Sequence, residues 1–172
     1  MKILITGASG FIASRLLKVA CNIYGHENVI AFSSRTCEHC DTVVYDQRDY
    51  SINKSDYPLL KSADVLLHAG AFIPKSRNDV DNLDGCNDNI RFTERLLKLP
   101  FENLKKIVYL STVDVYAPAS LISEESPTIP QTLYGQSKLY CEKMVKAFSA
   151  QRKIDSLVLR VGHVYGPGEE AY

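Results

Sequence analysis

The sequence predicts a doubly wound parallel α/β sheet with helices on both faces. Short apolar runs rich in strand-favouring residues occupy 2–6, 28–33, 42–45, 64–68, 106–111 and 154–161. Helical patterns, with apolar residues recurring at three and four positions, occupy 10–22, about 84–98 and 134–149. Strands joined by helical crossovers run parallel, because a parallel return needs a long connection. With 172 residues the chain has the length of one domain, and we assign 1–172 to it.

Composition narrows the possible functions. Twenty Lys and Arg residues balance twenty Asp and Glu residues, so no excess charge recruits nucleic acid or an acidic membrane surface. The first apolar run reaches Gly7 and is too short for a signal peptide or a membrane span, which predicts a cytoplasmic protein. Cys37 and Cys40 form a single CxxC pair with no second pair at suitable spacing, so we expect no metal site.

A glycine-containing turn joins the first strand to the first helix. Glycine permits a tight bend and a close backbone approach, and the free N–H groups at a helix amino end attract a pyrophosphate. Ala13, in place of a third glycine, is small enough for helix and strand to pack closely. The position of this turn favours a dinucleotide site over an ordinary tight turn. The candidate cofactor-binding residues here are Gly7, Ser9, Gly10, Phe11 and Ile12.

The second strand ends without an acidic residue. Ser33, Ser34 and Arg35 stand where a carboxylate would bind the 2′-hydroxyl of an adenine ribose. Hydroxyls and a guanidinium suit a 2′-phosphate, because arginine presents a planar set of donors to phosphate oxygens. The alternative is a solvated surface arginine, with Glu38 and Asp41 close by in sequence. The sequence therefore favours NADP over NAD.

Tyr134 and Lys138 are the candidate proton-transfer pair, and both are also candidate cofactor-binding residues. Their spacing of four places both side chains on one face of a helix. A phenol is a poor base at neutral pH, and a neighbouring ammonium together with an oxidised nicotinamide would favour the phenolate. Tyr134 could then exchange a proton with a substrate hydroxyl while hydride moves to or from the cofactor.

Two other tyrosines, Tyr50 and Tyr57, also precede a lysine by four residues. Both lie between the third and fourth predicted strands, and we interpret these pairs as coincidences. Tyr134 differs because it follows a fifth strand that ends in the hydroxyl residues Ser111 and Thr112, at the sheet edge where ligands bind.

The order of five motifs resembles the extended short-chain dehydrogenases/reductases, which epimerise, dehydrate or reduce nucleotide-linked sugars. The motifs are TGASGFIA at 6–13, HAGA at 68–71, STVDVY at 111–116, YGQSK at 134–138 and LRVGHVYGPG at 159–168. The resemblance implies a Rossmann-type NAD(P)-binding domain in which Thr112 helps the catalytic Tyr134 by binding the substrate oxygen. It also implies a set of supporting contacts to the cofactor and site, from Asp46, Gln47, Ala69, Gly70, Ala71 and Asn89.

Asp114 is a possible additional acid/base. Dehydratases of the family carry acidic residues directly after the catalytic threonine, whereas this chain has Val113 and then Asp114. The Asp114 carboxylate could serve as a base or merely face solvent, and a catalytic acid with a raised pKa would need burial.

These observations support one leading hypothesis and two alternatives. The leading hypothesis is an enzyme of the epimerase/dehydratase type that acts on a nucleotide-linked sugar by hydride transfer. The alternatives are an NADPH-consuming keto-sugar reductase and a non-catalytic module that binds or senses a dinucleotide. The resemblance also implies a possible homodimer through the helices at about 84–98 and 134–149. Because the sequence reaches Tyr172 soon after a turn-rich loop, we expect that a C-terminal substrate portion is absent.

Overall fold

The computed structural model describes residues 1–169. Residues 170–172 lie outside the described part. The expectation that a C-terminal substrate portion is absent concerns this end of the sequence and is therefore not addressed by the described residues. The elements follow in the order β1 (Ile3–Thr6), α1 (Phe11–Tyr24), β2 (Val29–Ser33), β3 (Asp41–Val44), α2 (Tyr57–Ser62), β4 (Val65–His68), α3 (Leu83–Leu97), β5 (Lys106–Thr112), α4 (Leu133–Arg152) and β6 (Asp155–Val161).

The strands form one parallel sheet in the order β3-β2-β1-β4-β5-β6. The prediction of a doubly wound sheet is therefore confirmed, and each of the six strands lies within one residue of its predicted bounds. The winding reverses between β1 and β4, so a crevice opens beyond the carboxyl ends of these two strands. Thr6 and His68, which end them, are register partners at the base of this crevice.

Helices pack on both faces of the sheet. α1 covers one face through Ala13, Leu17 and Cys21, which lie in a cluster with Ile5 and Ala31. On the other face α2, α3 and α4 bury a larger cluster whose members include Leu4, Phe32, Leu60, Leu66, Leu96, Ile107, Tyr109 and Val145. Parallel sheets need cover on both faces, which explains why the central strands read as continuous apolar runs.

The edge strand β6 is less covered on the α1 side. Leu157 and Leu159 of β6 are register partners of Val108 and Leu110, and they remain 44% and 42% exposed. Within residues 1–169 no helix is long and apolar enough to cross a membrane.

α2 is an element that the sequence interpretation did not include. It spans six residues, carries a proline in its first turn and buries Leu60. It completes the connection from β3 to β4 on the face opposite α1.

Candidate active site

The turn between β1 and α1 closely approaches the segment after β4. Gly7 has a φ of +69°, and a Cβ added there would lie 2.6 Å from the Cα of Gly70. The Gly10 N–H donates to the Gly7 carbonyl at 2.7 Å, and Gly10 then caps α1 without a side chain. The first turn of α1 also lacks acidic residues, so its amino end favours an anion.

The segment after β4 is fixed from two sides. The Thr6 hydroxyl accepts the N–H groups of Ala69 and Gly70 at 3.1 and 2.9 Å. The buried amide of Asn89 holds Phe72, because it accepts the Phe72 N–H at 2.6 Å and donates to the Phe72 carbonyl at 3.2 Å. Asn89 therefore supports the backbone of residues 69–72 from α3.

His68 is a neutral side chain that links Thr6, which holds the segment after β4, to Thr93 of α3. Its Nδ1 lies 2.9 Å from the Thr6 hydroxyl and its Nε2 lies 3.0 Å from the Thr93 hydroxyl. Thr6 already accepts two N–H groups and Thr93 donates to the Asn89 carbonyl, so the bonding pattern assigns the proton to Nε2. Burial, with a smaller effect from the Lys138 charge, lowers the pKa of His68 to about 3.

A cleft of about 700 Å³ opens at the ends of β2 and β3, and we call it the β2–β3 cleft. Its lining residues are Ser9, Ser34, Arg35, Tyr45, Asp46, Gln47 and Arg48. The Gln47 amide donates to the Ser34 hydroxyl at 3.0 Å, which joins the ends of β2 and β3. Ser33 is buried behind the cleft. The structure thus brings together the predicted residues from both strand ends.

Arg48 is a residue that the motif interpretation did not single out. Its guanidinium binds the Asp46 carboxylate through two nitrogens, at 3.0 and 2.5 Å, and its backbone N–H donates to the same carboxylate. These bonds lower the pKa of Asp46 to about 2. The cleft therefore holds two guanidinium groups, those of Arg35 and Arg48, and one carboxylate that is already paired.

Tyr134 and Lys138 are both buried in the first two turns of α4, 8% and 3% exposed. The Lys138 ammonium donates to the Leu110 carbonyl at 2.7 Å and lies 4.6 Å from the centre of the Tyr109 ring. Burial lowers the pKa of Lys138 to about 8. α4 thus places a buried cation one helical turn from the phenol, next to β5.

Thr112 lies at the end of β5 and bonds to Asp114. The Thr112 hydroxyl donates to the Asp114 carboxylate at 2.9 Å and accepts the Asp114 N–H at 3.2 Å. One lone pair of the hydroxyl oxygen is left for a further donor. The Asp114 side chain is exposed, so the burial expected of a catalytic acid is not provided at this position.

The start of α4 is pressed against the turn that follows β5. Thr132 caps the helix by accepting the Gly135 N–H at 3.1 Å. A Cβ added at Gly135 would lie 2.4 Å from the Asp114 carbonyl oxygen, so glycine is needed for this approach. Ser137 accepts a hydrogen bond from Asn89 at 3.3 Å, which links α4 to α3. We refer to Thr112, Tyr134 and Lys138, the catalytic residues predicted from the sequence, as the reacting group.

The structure places the other two Tyr–Lys pairs elsewhere. The Tyr50 ring packs 5.0 Å from Phe92 in an aromatic cluster, and Lys61 forms an ion pair with Glu102 at 2.7 Å. In the described part of the chain, no three His, Cys, Asp or Glu residues are grouped so that they could hold a metal ion. Cys37 and Cys40 pack against the α1-side cluster instead.

We expect Lys138→Met to remove a pH dependence of stability. The folded-state pKa of about 8 lies below the ordinary 10.5. Below pH 8 the lysine is protonated in both the folded and the unfolded state, and burying its charge lowers the free energy of unfolding. Between pH 8 and 10.5 only the unfolded chain keeps the proton, so stability rises with pH, by about 3 kcal/mol across this window.

Urea unfolding from pH 7 to 11 measures this difference. The free energy of unfolding of the native chain should rise relative to that of Lys138→Met as pH increases. Lys143→Met, at an exposed position of the same helix, is the control and should follow the native chain. Parallel curves for the native chain and Lys138→Met would contradict the low pKa of Lys138.

The chain is similar to known proteins over nearly its whole length. The model of the NAD dependent epimerase/dehydratase family matches residues 3–172. The chain is 28% identical over 180 residues to ADP-L-glycero-D-manno-heptose-6-epimerase of Thiobacillus denitrificans, which covers 96% of this chain and 52% of the relative. It is 30% identical over 183 residues to an uncharacterized UDP-glucose epimerase of Bacillus subtilis, covering 97% of this chain and 58% of the relative.

Solved structures show the same architecture. UDP-glucuronic acid 4-epimerase from Bacillus cereus in complex with NAD superposes with a TM-score of 0.79 at 26% identity, over 97% of this chain and 58% of that chain. UDP-N-acetylglucosamine 4-epimerase from Bacillus cereus superposes with a TM-score of 0.77 at 25% identity, over 98% of this chain and 63% of that chain. The chain therefore spans about half the length of the curated relatives it matches.

Proposed function

The chain belongs to the NAD-dependent epimerase/dehydratase family, and we propose that residues 1–172 form the NAD(P)-binding domain of an enzyme that acts on a nucleotide-linked sugar by hydride transfer. Tyr134 is the acid/base, Lys138 favours its phenolate and holds the nicotinamide ribose, and Thr112 binds the substrate oxygen. The turn from Gly7 to Ile12 binds the pyrophosphate, and the segment from Ala69 to Ala71 lines the cofactor.

One observation carries the proposal. α4 buries Tyr134 and Lys138, and the Lys138 ammonium binds the carbonyl of Leu110 on β5, the strand that ends at Thr112. The carboxyl edge of the sheet is the crevice where ligands bind in doubly wound sheets, and the glycine turn of β1 opens onto the same edge. A buried ammonium near a phenol favours the ionised form, which gives a proton acceptor at neutral pH.

The side chains of the reacting group divide the work. A bound nicotinamide would supply or accept the hydride at the sugar carbon. Tyr134 would take the proton from the sugar hydroxyl at its phenolic oxygen and return it in the reverse step. Thr112 would bind the same sugar oxygen by donating its own hydroxyl proton, which is directed to the Asp114 carboxylate in this structure. Hydroxyl and phenol are thereby held in the geometry that proton transfer requires.

Asp114 is proposed as an additional proton-transfer group for a dehydratase reaction. Its carboxylate is bonded to the Thr112 hydroxyl and is therefore next to the position proposed for the substrate oxygen. In an epimerase or reductase the same carboxylate would serve only to orient Thr112.

We propose that the cofactor is NADP rather than NAD. Arg35 and Arg48 both line the β2–β3 cleft, and the Asp46 carboxylate there is paired with Arg48. The Arg35 guanidinium suits a 2′-phosphate, and Arg48 neutralises the Asp46 carboxylate that would otherwise repel one. The similar epimerase from Bacillus cereus was solved with NAD, so this chain would differ from it by accepting the additional 2′-phosphate of NADP.

We expect Arg35→Ala to abolish the preference for NADPH. Loss of a charge-assisted contact to the phosphate should weaken NADPH binding roughly tenfold or more and leave NADH binding nearly unchanged. Fluorescence titration of the native chain and the variant with both cofactors measures the two affinities. Arg91→Ala, an exposed arginine on α3, is the control. Equal losses for NADPH and NADH would rule out a role for Arg35 in phosphate binding.

The nearest alternative is an NADPH-dependent keto-sugar reductase, and net cofactor consumption distinguishes it from an epimerase or dehydratase. The full gene product should be incubated with UDP- and ADP-linked sugars, the classes named for its relatives. An epimerase or dehydratase converts the sugar without net oxidation of NADPH, whereas a reductase oxidises one NADPH per product. If no nucleotide sugar is converted although the cofactor binds, the proposed enzymatic function fails.

A non-catalytic dinucleotide-binding module is the alternative from another class. Such a module needs the Gly7 turn but not a buried tyrosine–lysine pair, so Tyr134 and Lys138 favour an enzyme.

A homodimer through α3 and α4 is also proposed, on the family resemblance alone. Sedimentation velocity of the purified chain tests it, and a monomer at all concentrations would refute it.

A further inference from the structure

An ion pair between the buried Glu142 and the partly buried Arg160 lies next to the reacting group. Glu142 follows Lys138 by one turn of α4, and its carboxylate is 1% exposed. Arg160 of β6 binds both carboxylate oxygens, with Nε at 3.0 Å from one and a terminal nitrogen at 2.8 Å from the other. The Ser111 hydroxyl donates to the same carboxylate at 2.6 Å. These contacts outweigh burial, which alone would raise the pKa of Glu142, and hold that pKa below its ordinary value.

This Glu142–Arg160 pair joins the segments that carry the reacting group. Glu142 belongs to the helix of Tyr134 and Lys138, while Ser111 directly precedes Thr112 on β5. The Arg160 guanidinium also lies 4.7 Å from the centre of the ring of Tyr116, in the turn after β5. One carboxylate and one guanidinium therefore connect α4, the end of β5, the following turn and β6.

Stability alone does not account for such a pair. Burying two charges costs several kcal/mol for each ion, and well-packed apolar residues of similar volume are often equally stabilising. A bidentate arginine–carboxylate contact does provide a fixed distance and angle, which apolar packing does not. The geometry is thus suited to positioning.

We propose that Glu142 and Arg160 are positioning residues, whose bidentate contact fixes the ends of β5 and β6 against α4 and so sets Thr112 and Lys138 relative to Tyr134. The proposal rests on the proposed function, since it assigns the pair to the reacting group of that enzyme. Neither residue touches the substrate or the cofactor in this proposal. Each acts through Thr112, Lys138 and Tyr134, which would contact the substrate and the cofactor.

Glu142 also affects Lys138 electrostatically. Burial lowers the pKa of Lys138, and Cys141 and, to a smaller extent, the negative charge of Glu142 partly offset this by raising it. The other groups around the ammonium are the Tyr109 ring and the Leu110 carbonyl of β5, and His68 of β4, which is neutral. Removing the Glu142 charge should therefore lower the pKa of Lys138 further.

Two ligands distinguish positioning of the reacting group from general support of the fold. In the proposed binding mode NADPH would reach both the β2–β3 cleft and Lys138, whereas adenosine 2′,5′-bisphosphate would not reach Lys138. Glu142→Gln keeps the size of the side chain and removes its charge, whereas Arg160→Lys keeps the charge and removes the planar fork of donors, so both variants lose the charged bidentate contact. We expect both variants to bind NADPH roughly tenfold more weakly and to bind the bisphosphate as the native chain does.

Two variants at exposed positions of α3 serve as controls, and Ser111→Ala provides a milder change at the ion pair. Glu94→Gln and Arg91→Lys alter exposed ion pairs of α3 and should change neither affinity. If Glu142→Gln or Arg160→Lys does not fold, Ser111→Ala removes only the contact of β5 to Glu142 and should show the same pattern more weakly. Unchanged NADPH affinity, or a parallel loss for both ligands, would overturn the proposal.

A second readout does not depend on cofactor binding. The titration of Lys138, followed by NMR of ¹³C-labelled lysine, should shift to lower pH in Glu142→Gln and stay unchanged in Glu94→Gln. If the native chain binds neither ligand, the proposed function fails, and this titration alone decides whether Glu142 acts on Lys138. An unshifted Lys138 midpoint in folded Glu142→Gln would then overturn the positioning role.

Discussion

Tyr134→Phe is expected to lower kcat by about 10²- to 10⁴-fold, the usual contribution of a positioned acid or base. The change removes one oxygen and leaves the ring, so the packing of the first turn of α4 is retained. Cofactor affinity should stay within about twofold of the native value, because the phenolic oxygen acts on the substrate in this proposal. The loss should therefore fall on turnover and not on binding.

The measurement is turnover of the nucleotide sugar by the full gene product, together with cofactor titration of the same samples. Tyr140→Phe is the matched control, because Tyr140 is 54% exposed on the same helix. It should keep native turnover and native affinity. Full activity in Tyr134→Phe would show that the proton is transferred by another group.

Gly7→Ala is expected to cause the largest loss of cofactor affinity, together with a loss of stability. Its φ of +69° is costly for alanine, and the new Cβ would lie 2.6 Å from Gly70 Cα, which is backbone and has little freedom to move. Strain and overpacking together should lower the free energy of unfolding by about 3 kcal/mol. Because the turn and residues 69–71 must separate, the cofactor should bind roughly a hundredfold more weakly.

Urea unfolding and cofactor titration measure the two effects of Gly7→Ala. Gly162→Ala is the control, since a Cβ added at Gly162 meets nothing within 4 Å. That variant should keep the stability and the affinity of the native chain. A Gly7→Ala variant with native cofactor affinity would contradict the assignment of this turn to the pyrophosphate.

The strands could be predicted well because their signal is local. Each buried parallel strand is a short apolar run bounded by polar or glycine-containing residues, which fixes its bounds within one residue. α2 was missed because six residues are too few to show helical periodicity. The helix α4 continues to Arg152 and ends at Lys153 in the left-handed conformation, beyond the predicted end at 149.

The candidate site was predictable only where its residues lie in motifs. The glycine turn and the Tyr134–Lys138 spacing are visible in the sequence. The bonds of Thr6 to His68, 62 residues apart, and of Ser111 to Glu142, 31 residues apart, have no local signal. The acceptor for Lys138 is a backbone carbonyl, which every residue possesses. Such contacts follow from the strand order and not from spacing.

Arg48 illustrates a signal that could have been used. It follows Asp46 and Gln47, which the family resemblance brings to the adenine, so a basic residue next to them was a candidate for the same cleft. The pairing of Arg48 with Asp46 could not be inferred, because adjacent residues of a loop can face in any direction. This pairing is what strengthens the proposal of NADP.

The most direct test of the central claim is titration of the purified chain with NADPH and with NADH, followed by cofactor fluorescence. The chain contains no tryptophan, so protein emission interferes little with the nicotinamide signal. We expect saturable binding with one NADPH per chain and weaker binding of NADH. If a folded chain bound neither cofactor, the assignment of this crevice to a dinucleotide would be contradicted.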